Sequence, residues 1–173
     1  MTRGFTAHNR LRKADTYLAI AHEHLVRTAR GLVVDLGYGR IPVTTVEMAA
    51  RLQRLNRSVH VLGIEIEKER VEAARPWSRP GVEFRFGGFN LPLIEGERAT
   101  IVRAMNVLRQ YNEAEVATAL ANVARGIMPG GLLLEGTSNP SGCLLTLNVF
   151  RRRLDSPAFD LEEVVFATRP SAT

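Results

Sequence analysis

Leu32-Val33-Val34-Asp35-Leu36 runs straight into Gly37-Tyr38-Gly39-Arg40. A short apolar, β-branched run that closes on two glycines reads as a buried strand followed by a tight turn. Glycine in such a turn adopts positive φ and lets the backbone approach a ligand closely. Upstream, Leu11, Ala14, Leu18, Ala21 and Leu25 recur at helical spacing, predicting a helix over 9–29 with Gly31 as its stop. Downstream, Thr44 with Glu47 spells a capping box ahead of a helix face carrying Met48, Leu52 and Leu55. The alternation continues through strands at 59–65, 82–86 and 99–104, with a helix at 68–75 stopped by Pro76. Asn112 with Glu115 then caps a helix bearing Val116, Ala119, Leu120, Val123 and Ile127, and Pro129-Gly130-Gly131 launches a fifth strand at 132–135. Strands alternating with helices predict an α/β fold: a Rossmann-like doubly wound sheet of five parallel strands with helices on both faces.

The chain has 173 residues, enough for a single domain with its own core. Three parts are expected: an N-terminal helix over 9–29, a core over 31–136 and a C-terminal hairpin over 143–168. The lone Cys143 excludes an internal disulfide and a cysteine-based metal cluster. No apolar run is long enough to span a bilayer, and no apolar segment follows the basic start, so a cytoplasmic protein without membrane contact is expected. The net charge of +5 invites a nucleic-acid partner. Yet 21 of the 23 basic residues are Arg, a skew that GC-rich coding alone produces, and aromatics are only 6% with none interleaved among the arginines. Nucleic acid is therefore disfavoured. Arg151-Arg152-Arg153 is followed by Asp155, Asp160, Glu162 and Glu163 and reads as a partly neutralised surface.

In open α/β sheets ligands sit beyond the carboxyl ends of the strands where strand order reverses, which directs attention to the Asp35–Gly39 turn. The dinucleotide fingerprint needs a third glycine where Pro42 stands. Asp35 would also repel a pyrophosphate. Glu65 ends the second strand, where a carboxylate can accept hydrogen bonds from ribose hydroxyls. A ligand with a ribose, no phosphate and a cationic or zwitterionic tail fits, and S-adenosylmethionine is one.

These residues carry a resemblance. VVDLGYG (33–39), VLGIEIEKERVEAAR (61–75), FGGFNLP (86–92), IVRAMNVLRQY (101–111) and MPGGLLLEG (128–136), in that order, resemble successive motifs of class I S-adenosylmethionine-dependent methyltransferases. The AMNVLRQY and LLLEGTS stretches are most similar to a bacterial subgroup. The resemblance implies that Asp35, Gly37 and Gly39 hold the methionine end and Glu65 the ribose. It places Gly88 and Phe89 along the adenine and Asn106 near the sulfonium. Two departures stand out. Ile41 replaces a frequent third glycine and is expected to narrow the turn, and Gly88 replaces an acid that often accepts from the adenine amino group.

Arg103, Asn106, Tyr111 and Glu135 are the candidate substrate contacts, each with a plainer alternative: Tyr111 as packing, Glu135 as an ion-pair partner of an arginine. Asn9-Arg10-Leu11-Arg12 reads either as an exposed helix start or as a segment reaching the cofactor mouth. The histidines lack ligand spacing, so no metal is expected. Two functions follow: methyl transfer to a small-molecule acceptor, or a catalytically degenerate module that keeps the fold for a partner. A nicotinamide oxidoreductase ranks third.

Between Glu135 and Leu144 too few residues intervene for a parallel crossover. Leu145, Leu147 and Val149 alternate as a strand requires, so 144–150 is expected to turn back antiparallel, with 161–167 returning beside it. A helix over 141–153 is the competing reading. The hairpin would leave an uncovered edge, through which a homodimer is expected.

Overall fold

The computed structural model describes residues 6–168; the ends of the expected 1–173 domain, 1–5 and 169–173, lie outside the described residues. In chain order the elements are α1 (Arg12–Ala21), α2 (Glu23–Arg27), β1 (Leu32–Leu36), α3 (Val43–Leu52), β2 (Val61–Glu65), α4 (Lys68–Ala74), β3 (Val82–Phe86), β4 (Ala99–Met105), α5 (Glu113–Gly126), β5 (Ile127–Ser138), β6 (Leu145–Arg152) and β7 (Phe159–Ala167). The strands form one seven-stranded sheet in the order β3-β2-β1-β4-β5-β6-β7. The first five run parallel. β6 is antiparallel to both β5 and β7, so β7 again runs with β5. Strand order reverses at β1, which lies between β2 and β4.

On the inner strands the pleat sends successive side chains into two apolar layers, one on each covered face. Leu18, Val26, Met48 and Leu52 from α1, α2 and α3 meet Val33, Ile101, Leu134 and Leu147 on one face. Val123 of α5 and Leu91 of the loop before β4 meet Val34, Leu62, Ile64 and Leu133 on the other. Each such side chain contributes roughly 1.5–3 kcal/mol on full burial.

The structure corrects four local expectations. The N-terminal helix is two helices, broken at His22 (φ −120°, ψ 31°). The break shifts the phase, so that Val26 is buried and Ala21 is left exposed. Gly31 is not a helix stop; it enters β1, and its N–H donates to Thr100 Oγ1 at 3.0 Å. Thr44 and Glu47 form no capping box, because Pro42 caps α3 and Glu47 instead accepts the Asn9 N–H at 2.9 and 3.0 Å. β5 begins before Pro129-Gly130-Gly131: Ile127 already pairs with Ala99, and the Pro-Gly-Gly kink is an irregularity within the strand. The Asn112–Glu115 capping box is present in both directions.

The hairpin is β6 and β7, and 141–153 is not helical. β5 turns back into β6 where Gly142 takes φ +70° and the Asn139 side chain accepts the Leu144 N–H at 3.1 Å, and the β6–β7 turn closes with the Arg153 N–H donating to the Ala158 carbonyl at 2.9 Å. The arginine run is neutralised in place, Arg151 on Glu162 and Arg153 on Asp160. β7 is a sheet edge that exposes Leu161, Val164 and Phe166.

Candidate functional site

A cavity of about 570 Å³ opens at the carboxyl ends of the strands, where strand order reverses. Its walls are the Leu36–Gly39 turn after β1, Glu65 and Ile66 after β2, Gly87–Phe89 after β3, Asn106 after β4, and Ser138–Pro140 at the end of β5. Thr6, Arg10 and Leu11 close it from the N-terminal side. The size and mixed lining are those of a small-molecule site. Gly37 and Gly39 take φ +74° and +85°, and a Cβ on Gly37 would stand 2.7 Å from Val107 Cγ2. Tyr38 between them turns inward, packing edge-on against Phe84 at 5.3 Å.

Asp35 is 2% exposed. It accepts from Thr45 Oγ1 at 2.7 Å, from Thr44 Oγ1 at 3.4 Å and from Arg103 Nε at 3.0 Å. Arg103 also pairs with Asp15 of α1, which in turn holds Arg51 at 2.7 Å, and donates to the Thr44 carbonyl at 3.1 Å. The carboxylate at the head of the glycine turn is thus neutralised within the fold, and the same arginine fastens the N-terminal helix over the sheet. Arg103 does not line the cavity, which corrects its reading as a substrate contact.

Glu65 is 3% exposed and closes β2 under the glycine turn. Its Oε2 accepts the Gly39 N–H at 2.9 Å and lies 3.6 Å from Arg70 Nη1; its Oε1 accepts the Ile66 N–H at 2.9 Å. A third N–H, that of Glu67, reaches Oε1 at 3.4 Å, so the fold itself addresses most of the about four acceptor positions a carboxylate offers.

Asn106 sits at φ +62°, a left-handed conformation that asparagine tolerates better than most residues. Its carboxamide clasps Ser138, Nδ2 donating to Oγ at 3.1 Å and Oδ1 accepting the Ser138 N–H at 3.1 Å. It therefore joins the ends of β4 and β5. Arg10, buried at 7% exposure, donates to the Ser138 carbonyl at 3.0 Å and the Asn139 carbonyl at 3.2 Å. Burial and then the charge of Arg109 pull its guanidinium below the ordinary value. Of the two readings of Asn9–Arg12, the exposed helix start does not hold for Arg10.

Gly88 has open space, with only Ile66 Cδ1 within 4 Å of an ideal Cβ. Phe89 leans edge-on against Tyr111 at 5.2 Å, and both line the cavity. The loop is held by Arg85, which grips Glu97 through two bonds of 2.5 and 2.8 Å and the Pro92 carbonyl at 3.0 Å. Its hydrogen bond from Arg85 holds the Glu97 carboxyl below its usual range. Ile41 is 46% exposed and off the cavity wall, so it does not narrow the turn as its sequence position suggested. Glu135 also lies off the wall, accepting from Asn148 Nδ2 at 2.8 Å and not from an arginine; burial raises its carboxyl.

Sequence reading missed Thr6 and Ser138. Thr6 Oγ1 is the one buried side-chain polar atom without a hydrogen-bond partner among the described residues, and Thr6 lines the cavity. Neither residue carries a local signal, because tertiary folding alone brings them to the site. No group of His, Cys, Asp and Glu among the described residues could hold a metal ion.

The fold is that of class I methyltransferases. The CMeT domain of the citrinin polyketide synthase is similar over 73% of this chain and 34% of its own, with 24% identity and a TM-score of 0.59. Magnesium protoporphyrin IX methyltransferase from Synechocystis, solved with bound S-adenosylhomocysteine, matches 73% of this chain and 53% of its own at 18% identity and a TM-score of 0.53. The CcbJ methyltransferase from Streptomyces caelestis matches 84% and 61% at 18% identity, with a TM-score of 0.51. The chain thus spans between about a third and three-fifths of these proteins' length. No family model and no curated protein matches the sequence. No helix among the described residues is long and apolar enough to cross a membrane.

Proposed function

We propose that this cavity binds S-adenosylmethionine and that the chain transfers its methyl group to a small-molecule acceptor. Glu65 carries the reading: a buried carboxylate at the end of β2 that lines the cavity beside a positive-φ glycine turn is placed to accept from the hydroxyls of a ribose. The orphan hydroxyl of Thr6 supports a polar occupant. When bound, the cofactor supplies a sulfonium methyl: the acceptor's lone pair forms the new bond to carbon while the carbon–sulfur pair passes to sulfur, and a protonated acceptor gives its proton to water. The chain's own part is to bind and align, which suffices for in-line displacement.

In this reading Gly37 and Gly39 let the backbone lie against the methionine half. Gly87–Phe89 flanks the adenine with no side-chain acceptor at Gly88. Asn106 holds the β4 and β5 ends together at the methyl-bearing side. Asp35 lines the cavity at the methionine half, with its charge already paired to Arg103 and its position set through Thr44 and Thr45. That last feature favours a second reading, a module of this fold that binds a nucleoside without catalysis. Incubation with S-adenosylmethionine and a panel of small acceptors separates the two, since only the enzyme accumulates S-adenosylhomocysteine. Thermal shift with S-adenosylhomocysteine tests binding itself: ligand at 100 times its dissociation constant stabilises by about 2.7 kcal/mol, several degrees for a domain of this size. We also propose a homodimer through the β7 edge.

A further inference from the structure

Ser138 is buried at the end of β5 and lines the cavity together with Arg10 and Asn106. Its Oγ accepts two hydrogen bonds: from Asn106 Nδ2 at 3.1 Å, and from Arg10 Nε at 3.2 Å, an N–H shared with the Asn139 carbonyl at 3.2 Å. Neither neighbour can accept in return. A guanidinium has no acceptor atom, and the Asn106 carboxamide is fixed in orientation because its Oδ1 accepts the Ser138 N–H at 3.1 Å. Both lone pairs of the hydroxyl are thus engaged while its own proton is not. No acceptor among the described residues takes that proton. A buried donor left unmade is costly, so the proton is available to what occupies the cavity. A hydroxyl held in this way cannot draw a proton from a nucleophile; it can only give a hydrogen bond. The atom it meets must carry a free lone pair, as a carbonyl oxygen does and an ammonium does not.

We propose that Ser138 is a specificity-determining donor: its hydroxyl holds a carbonyl oxygen of the methyl acceptor, with its polarity set by Asn106 and Arg10. This rests on the methyltransferase reading and adds the chemical class of its substrate. The carboxylate of the cofactor's methionine half also offers lone pairs, and the experiment separates the two.

Calorimetric titration of the protein saturated with S-adenosylhomocysteine uses benzamide and thiobenzamide, planar probes that share their donors and differ in the strength of the acceptor atom. Their rings suit a wall that also carries Met105, Val107 and Pro140. In Ser138→Ala, benzamide is expected to lose about two- to tenfold relative to thiobenzamide, the range of one neutral hydrogen bond. Ser138→Thr, which restores the hydroxyl, is expected to restore the ratio. Both probes meet the same altered wall in each variant, so the ratio reads the hydroxyl and not a general loosening. Neutron diffraction from the deuterated wild-type protein decides the matter even where Ser138→Ala fails to fold. The Ser138 deuteron is expected to lie off the Asn106 and Arg10 bonds and to be directed into the cavity. An unchanged ratio in Ser138→Ala, no recovery in Ser138→Thr, no binding of either probe, or a deuteron bonded to a protein acceptor overturns the proposal. So does a loss in Ser138→Ala that falls on S-adenosylhomocysteine while 5′-methylthioadenosine, which lacks the carboxylate, binds as before. The titrations are repeated without S-adenosylhomocysteine. A ratio that still depends on Ser138, with no nucleoside binding, sinks the cofactor reading and leaves the donor standing.

Discussion

Arg103 Nε meets Asp35 Oδ1 at 3.0 Å, and Arg103 Nη2 meets Asp35 Oδ2 at 2.8 Å, both residues buried. Two parallel contacts fix the carboxylate in one plane, and through it the start of α3 and the glycine turn. Arg103→Met fits the space but leaves Asp15 and Asp35 without their shared cation. Removing one partner of a buried pair costs about 3–5 kcal/mol. Urea denaturation is expected to show a loss of that size; a loss below about 1 kcal/mol would mean the network has little hold on the fold.

The order of strands and helices was legible because β1, β2 and β4 are short, largely apolar runs, the first framed by Gly31 and Gly37, and α5 has both periodicity and a capping pair. The hairpin was legible for a different reason: the eight residues between Glu135 and Leu144 cannot cross the sheet. The site was legible only where chemistry and local sequence coincide, at Gly37, Gly39 and Glu65. Asp35 looked free because its cation lies 68 positions away on β4. Arg10 looked exposed because its acceptors, Ser138 and Asn139, come from the far end of the chain. Thr44 looked like a helix cap because nothing local reveals that its hydroxyl turns toward Asp35.

Glu65→Ala is expected to weaken S-adenosylhomocysteine binding by about 1.5–3 kcal/mol, the range for hydrogen bonds to a charged group. Because Glu65 also accepts the Gly39 and Ile66 N–H groups, the same variant is expected to lose stability. A 2′-deoxyribose analogue of the ligand removes that ambiguity on the wild-type protein. Equal calorimetric affinity for analogue and parent would remove Glu65 from the ribose site.

Thr6 predicts effects of opposite sign. An unpaired buried hydroxyl costs about 1–3 kcal/mol. Thr6→Val is therefore expected to raise the melting temperature of the ligand-free protein and to shrink the shift that S-adenosylhomocysteine produces. A variant that melts lower without ligand, or shifts as far with it, contradicts the role.

On β7, the last strand of the sheet among the described residues, Val164 and Phe166 are 67% and 69% exposed. Edge strands of this kind template pairing with another chain. Light scattering is expected to show concentration-dependent dimers, abolished by Val164→Lys. A clean monomer at high concentration would contradict pairing through 161–167.

The most direct measurement is calorimetric titration of the wild-type protein with S-adenosylhomocysteine, with NADH as control. One-site binding of S-adenosylhomocysteine, absent for NADH and weakened at least about tenfold in Glu65→Ala, is the expected result. No heat and no thermal shift at millimolar S-adenosylhomocysteine would contradict the assignment of this cavity to the cofactor.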